Sequence, residues 1–221
     1  MADNVAITAG SGTSIAADDI ASVFYQRVKV AIGADGSATD WSSTNPAPIR
    51  DDKANRLIVI AGTTLTRPAN TTAYAANDSV SDNGTAASVT ANTVTISDTN
   101  DYPIGIASVE LHSTDTGFGA ANIRMWVYNS DPTASSGVVN GDNAAFSNKK
   151  AGFVGTLSGT MRTFSDGSRG VLTPDEGSLL ITLPGSGAKT LWWQLQTLSA
   201  ATPSANSTTF IPTFRAYQAI P

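Results

Sequence analysis

Residues 190–199 read TLWWQLQTLS. In an extended chain Leu191, Trp193 and Leu195 fall on one side and Trp192, Gln194 and Gln196 on the other, the period-2 alternation of a strand. Both sides carry a tryptophan, so both faces want cover. The run NIRMWVYNS at 122–130 behaves alike: Ile123, Met125 and Val127 share a face, Arg124, Trp126 and Tyr128 the opposite one. Large aromatics in strands are core residues more often than contact residues. Strands of this kind need a sheet with a second layer against it.

Working outward, further short apolar or alternating runs occur at 62–68, 92–98, 104–113, 151–159, 168–173, 178–185 and 208–220. Between them stand Asn83-Gly84, Asn140-Gly141, Asp166-Gly167 and Pro184-Gly185, dipeptides suited to tight β-turns with positive φ. Charged residues make up 14% of the chain, against about 25% in ordinary domains. Ser, Thr, Ala, Asn and Gly take their place. Hydroxyl and amide side chains compete for backbone hydrogen bonds and disfavour long helices. The expected fold is all-β: an N-terminal extended arm and strand, then an antiparallel β-sandwich of jelly-roll type.

The first sixty residues differ. Residues 1 to about 20 show neither helical nor strand periodicity, the composition of a terminus that something else must hold. SVFYQRVKVAI (22–32) then alternates, with Phe24, Val28, Val30 and Ile32 opposed to Tyr25, Arg27 and Lys29, before Gly33 to Gly36 turn the chain. Residues 37–53, with two alternate prolines, read as an extended connector. RLIVIAG (56–62) reads as a short strand covered on both faces. The expected organisation is arm and attachment strand at 1–36, connector at 37–61 and β-sandwich at 62–221. An arm without its own core gains stability by adding strands or apolar contacts to neighbours, at roughly 1–2 kcal/mol of ordering cost per residue.

Composition also bears on function. With a net charge of −5 and a pI near 4.7, the chain lacks the basic clusters of a nucleic-acid binder. It has no Cys, which removes disulfides, thiolate nucleophiles and nearly all structural zinc sites. Neither a signal peptide nor a span of ~20 apolar residues is found, so a soluble protein made in the cytoplasm is expected, without a membrane partner. The Asn-x-Ser/Thr triplets at Asn70, Asn77, Asn83 and Asn206 follow from a Ser/Thr-rich composition. The single histidine, His112, stands near Glu110 without a nucleophile elbow. Asp35, Asp40, Asp51, Asp52, Asp98 and Asp101 match no calcium-loop spacing, and loop aspartates ordinarily cap turns. GADGSATD lacks the lysine of a phosphate loop. The reading is non-enzymatic, with no cofactor and no metal.

Several segments resemble, in order along the chain, a loosely defined group of tailed-bacteriophage virion proteins: the opening MADNVAITAGSGTSIAADDI, YQRVKVAIGADG, NPAPI, TRPANTTAYAANDSVSD, GDNAAFS, FVGTL and LWWQLQTLSAATPSANSTTF. Trp41 and the acidic RDDK (50–53) have no counterpart in that pattern. The resemblance implies a structural virion component on the particle exterior, a capsid decoration or cement protein of the head. It further implies a shared attachment module from Thr13 to Ile32 and a β-domain beginning at Thr66–Asp82. The expected partners are the major capsid protein or other virion proteins, with a homotrimer closing exposed strand edges. The contact residues so implicated are Ile15, Ile20, Phe24, Tyr25, Arg27, Val28, Lys29 and Val30. The alternative is a glycan-binding module of a head or tail fibre, presenting Trp126, Tyr128 and Trp192 to sugars.

Overall fold

The computed structural model describes the backbone at 17–20, 23–26, 31–32 and 39–40, then residues 55–97, 100, 102–133, 140–147, 152–184 and 188–219. The chain divides into two compact units, Met1–Arg50 and Asp51–Pro221.

In the first unit β1 (Ala17–Ile20) pairs antiparallel with β2 (Val23–Gln26), Ala17 opposite Gln26 and Ile20 opposite Val23. A second ladder joins β3 (Ala31–Ile32) to β4 (Thr39–Asp40), on either side of Gly33–Gly36. Two expectations are corrected. The arm carries a strand at Ala17–Ile20 where no periodicity was read, because a ladder needs only backbone donors and acceptors and ADDI has no alternation to reveal it. The aperiodic connector contains β4, while of the strand expected over 22–32 β2 and β3 are described and 27–30 lie outside the described residues.

The second unit contains β5 (Asn55–Ala61), β6 (Leu65–Thr66), β7 (Ser79–Val80), β8 (Asn92–Thr95), β9 (Ile104–Ser113), β10 (Asn122–Tyr128), β11 (Phe153–Thr160), β12 (Arg162–Phe164), β13 (Gly167–Pro174), β14 (Leu180–Thr182), β15 (Thr190–Thr197) and β16 (Thr209–Ala219). All pairings are antiparallel. The backbone path runs β5-β16-β9-β13-β11-β10-β15-β7, with β6 on β16, β14 on β9, β12 on β13 and β8 on β15. β13 is the corner strand: Ser168 to Leu172 pair with β9, Thr173 and Pro174 with β11. The path thereby forms two sheets packed over one core, the all-β sandwich expected from the alternation.

That core is built from the inward positions of each strand. Ile104, Ile106, Val109 and Leu111 of β9 meet Phe210, Phe214 and Ala216 of β16 from one sheet. Ile123, Met125 and Val127 of β10 and Leu191, Trp193 and Leu195 of β15 come from the other, all fully or almost fully buried. Both faces of β15 are covered, since Gln194 and Gln196 are buried on the second side. Burying each large apolar side chain contributes about 1.5–3 kcal/mol, the main term holding the sheets together. β9 changes phase once, at the bulge opposite Arg215/Ala216, which lets Ile106 and Val109, three apart, both face inward. Pro212 lies inside β16 without breaking it. Residues 213–219 pair with β5 and 209–210 with β6, so the proline falls at the handover between these partners. Its missing N–H leaves no ladder bond unmade there.

The turn dipeptides divide. Gly167 has φ 139° in the β12–β13 hairpin, as read. Asn83-Gly84 and Asn140-Gly141 instead meet backbone to backbone: a Cβ on Gly141 would lie 2.3 Å from the Gly84 carbonyl oxygen, and Asp142 N–H donates to the Asn83 oxygen at 2.7 Å. These glycines serve close approach, not positive φ, which falls at Asn77 and Asn143 nearby. Gly185 lies outside the described residues.

Asp115 fixes the short 3₁₀ turn Thr116–Phe118 to the loop before β16. Its buried carboxylate accepts from Gly117 N–H at 2.7 Å, Ser204 N–H at 3.0 Å, Ala205 N–H at 3.3 Å and the Ser204 hydroxyl. Burial pushes its pKa up, but the hydrogen bonds from Ser204, Gly117 and Ala205 outweigh it and hold the group below the usual aspartate value. A depressed carboxylate contributes stability that is present above its unfolded pKa, about 4, and is lost as pH falls through the folded one. Asp115→Asn is therefore expected to lower stability at pH 7 and to flatten the acid limb of the stability–pH curve below about pH 4, read by urea unfolding at stepped pH. An unchanged acid limb would refute the assignment.

Candidate contact surface

The β5–β16–β9 sheet has an outward face that no second layer of its own unit covers. Register places its residues in rows across the strands. One row runs Leu57, Tyr217, Gly105, Ile181 over β5, β16, β9 and β14. The next is Val59, Arg215, Ser108. Beyond it lie Thr213, Glu110 and Val171, then Ile211, His112, Arg169 and Arg162. The first row, with Val59 of the second, is apolar and wet: Leu57 is 56% exposed, Val59 60% and Ile181 70%. Leu179 lies against Gly105 and is itself exposed. Single exposed apolar residues are unremarkable, whereas a contiguous set marks an interaction surface. The expectation that RLIVIAG is covered on both faces is thus corrected. Ile58 is buried and Ile60 packs on the core, while Leu57 and Val59 face out, because the core covers one face of this sheet and no second layer of the same unit covers the other.

The other end of this face is charged. Arg215 pairs with Glu110 at 2.9 Å and Arg169 with Asp166 at 2.6 Å, both in largely exposed settings, where such pairs contribute at most about 1 kcal/mol. The Arg169 guanidinium lies 5.6 Å from the Phe164 ring centre, within cation–π range. His112 occupies the same row, half-buried, with Glu110 engaged by Arg215.

The opposite sheet presents a different exterior. Trp126 stacks on Phe146 with ring centres 4.9 Å apart and 22° between planes, and Phe153 leans on it at 5.2 Å. Its indole N–H donates to Gln196 at 2.9 Å. Tyr128 is fully buried, edge-on to Phe153 at 6.0 Å, and burial pushes its phenol well above the ordinary range. A register shift between Val127 and Tyr128 in the β10–β11 ladder accompanies this. Trp192, opposite Tyr128 in the β10–β15 ladder, is half-buried. Phe153 thus lies against both Trp126 and Tyr128, and Phe146 occupies one face of Trp126. Beside them Asp175 accepts from Thr156 at 2.5 Å, from Arg124 at 3.1 Å and from Ser158. Burial raises its pKa, but these partners win and hold it below the usual value.

Of the residues implicated by sequence in attachment, Ile20 lies in β1 opposite Val23, while Phe24 and Tyr25 lie in β2 opposite Asp19 and Asp18. Ile15, Arg27, Val28, Lys29 and Val30 lie outside the described residues, as do Asp35, Asp51, Asp52, Asp98 and Asp101. Among the described residues no three His, Asp or Glu side chains gather so as to hold a metal ion, and no helix is long and apolar enough to cross a membrane. Sequence reasoning missed the outward apolar rows. Their one local sign was the pair Leu57 and Val59 in phase at a strand that begins the sheet.

No protein-family model and no curated protein matches the chain. Among solved structures, a chain of "Israeli acute paralysis virus heated to 63 degree - full particle" aligns over 99% of this chain and 97% of its own, at 13% identity and a TM-score of 0.31. A likeness of that size carries no weight for fold or role.

Proposed function

We propose that this chain is a non-enzymatic structural component of a bacteriophage particle, a capsid decoration or cement protein on the head exterior. In this reading its N-terminal segment and the outward face of the β5–β16–β9 sheet are the surfaces that meet the major capsid protein or further copies of the chain. The observation that carries the reading is the wet apolar row Leu57, Tyr217, Ile181 beside Val59, which costs solubility unless something buries it. The resemblance of the chain's segments to tailed-phage virion proteins points the same way. A two-stranded ladder such as β1–β2 is marginal by itself in water, so an attachment role gives it the packing it requires. A trimer would close the β5 edge, which pairs on one side only among the described strands.

The test is deletion of residues 1–36. The truncated chain is expected to keep its β-sheet circular dichroism and thermal midpoint, and to fail to co-sediment with particles that the full chain decorates. Normal decoration by the truncated chain would sink the anchoring role.

A further inference from the structure

The charged end of the outward face holds a groove of about 630 Å³, lined by Glu110, Thr160, Arg162, Phe164, Arg169 and Val171 among others. That volume lies within the range of ligand sites. Its electrostatics are unbalanced. Arg162 and Arg169 stand directly opposite one another in the β12–β13 ladder, an arrangement of like charges that destabilises a strand pair. Asp166 offsets Arg169 and Glu110 offsets Arg215, which leaves the Arg162 charge uncompensated. Three guanidinium groups face two carboxylates, and among the described residues Arg162 has no ion-pair partner. His112 Nε2 and Arg169 Nε lack a hydrogen-bond partner but are enclosed by the protein, so the guanidinium ends of Arg162 and Arg169 are the donors the groove presents. His112, Arg169 and Arg162 sit in one register row on three adjacent strands, and of these Arg162 and Arg169 line the groove.

We infer that this groove binds a carboxylate-bearing, apolar-flanked peptide segment of a protein partner, its carboxylate on Arg162 and the Arg169 side of the row and its apolar neighbours on Phe164 and Val171. Guanidinium groups are suited to carboxylates through paired, parallel hydrogen bonds. Phe164 and Val171, 47% and 51% exposed, supply the apolar walls. A polyhydroxylated sugar finds little here. Thr160 is the lining hydroxyl, Glu110 is engaged, and the Phe164 ring already has Arg169 beside it. The inference deepens the contact role proposed above by naming the partner's chemistry, and it rests on that role for its biological meaning.

The probe is a capped, rhodamine-labelled pentapeptide of alternating valine and glutamate, titrated into the full chain and read by fluorescence anisotropy. Its glutamine counterpart and a glucuronate trisaccharide are the comparison arms. Saturable binding of the glutamate peptide is expected, weakened at least tenfold in the glutamine peptide, in Arg162→Ala and by raising salt from 50 to 300 mM. Arg162 is exposed, and an unchanged unfolding midpoint verifies that the variant folds. The idea is overturned if the glutamate peptide does not bind at millimolar concentration, if Arg162→Ala or the glutamine peptide binds equally well, or if the trisaccharide binds in the peptide's place. Particle co-sedimentation of Arg162→Ala separates the two proposals. Absent peptide binding with normal decoration sinks the groove alone, and peptide binding without decoration by the unmodified chain sinks the particle role alone.

Discussion

Replacing Asp142 with Ala is expected to lower the unfolding free energy by about 3–5 kcal/mol, a fall of roughly 10 °C in thermal midpoint for a domain of this size. Arg67 is 2% exposed and Asp142 8%, and they meet at 3.3 Å. Tyr74, also buried, accepts from Arg67 Nε–H and donates its hydroxyl to Asp142 at 2.5 Å. Arg67 further donates to the Thr208 hydroxyl at 3.2 Å and to Asn70 at 3.4 Å, and its guanidinium lies 4.7 Å from the Tyr74 ring centre. Ser81 N–H completes the carboxylate shell at 3.1 Å. Burial, then the Asp142 charge, pushes the Tyr74 phenol far above its ordinary range, so it stays a neutral donor. Removing the carboxylate strands a buried guanidinium and an amide, whereas Arg67→Met with Asp142→Leu removes both charges, leaves only the neutral Ser81 amide and Tyr74 hydroxyl without these partners, and should recover part of the loss. Urea unfolding of the single and double variants decides it. A single-variant cost under 1 kcal/mol would show that the network is not needed.

The second large effect concerns association instead of folding. Val59→Glu combined with Ile181→Glu is expected to leave the thermal midpoint within a few degrees, because both side chains already face water and surface changes usually stay within about 0.5 kcal/mol each. Each apolar side chain buried in a contact is worth about 1.5–3 kcal/mol, so the pair should weaken particle binding by roughly a hundredfold or more. Co-sedimentation across a concentration series measures it. Undiminished decoration would remove this face from the interface and leave the N-terminal segment as the remaining candidate.

The strands that form the core were readable because their alternation is enforced by burial. Ile123, Met125 and Val127, like Leu191, Trp193 and Leu195, point inward as their spacing indicates. Legibility fails where the deciding fact is a neighbour. Arg67, Tyr74 and Asp142 lie in ordinary polar segments, and no local pattern announces that residues 75 positions apart share a buried charge. Tyr128 has the outward phase of Trp126, yet Phe153 from a different strand covers it. β5 reads as a strand covered on both faces because its composition is apolar throughout, and only the lack of a second layer over that side of the sheet exposes Leu57 and Val59. The groove is a property of register: Arg162 and Arg169 become a pair only once the β12–β13 hairpin sets them opposite each other.

The way β13 changes partners has a mechanical corollary. Along this edge the sheets are laced by two residue pairs, Leu157 with Pro174 and Ser158 with Thr173, and Pro174 brings no amide hydrogen to that lacing. Such a spine is short compared with the pages it binds. Under pulling or swelling, the sandwich would give way along this seam first, exposing Leu157 and Leu172 while the long β16–β9 ladder still held.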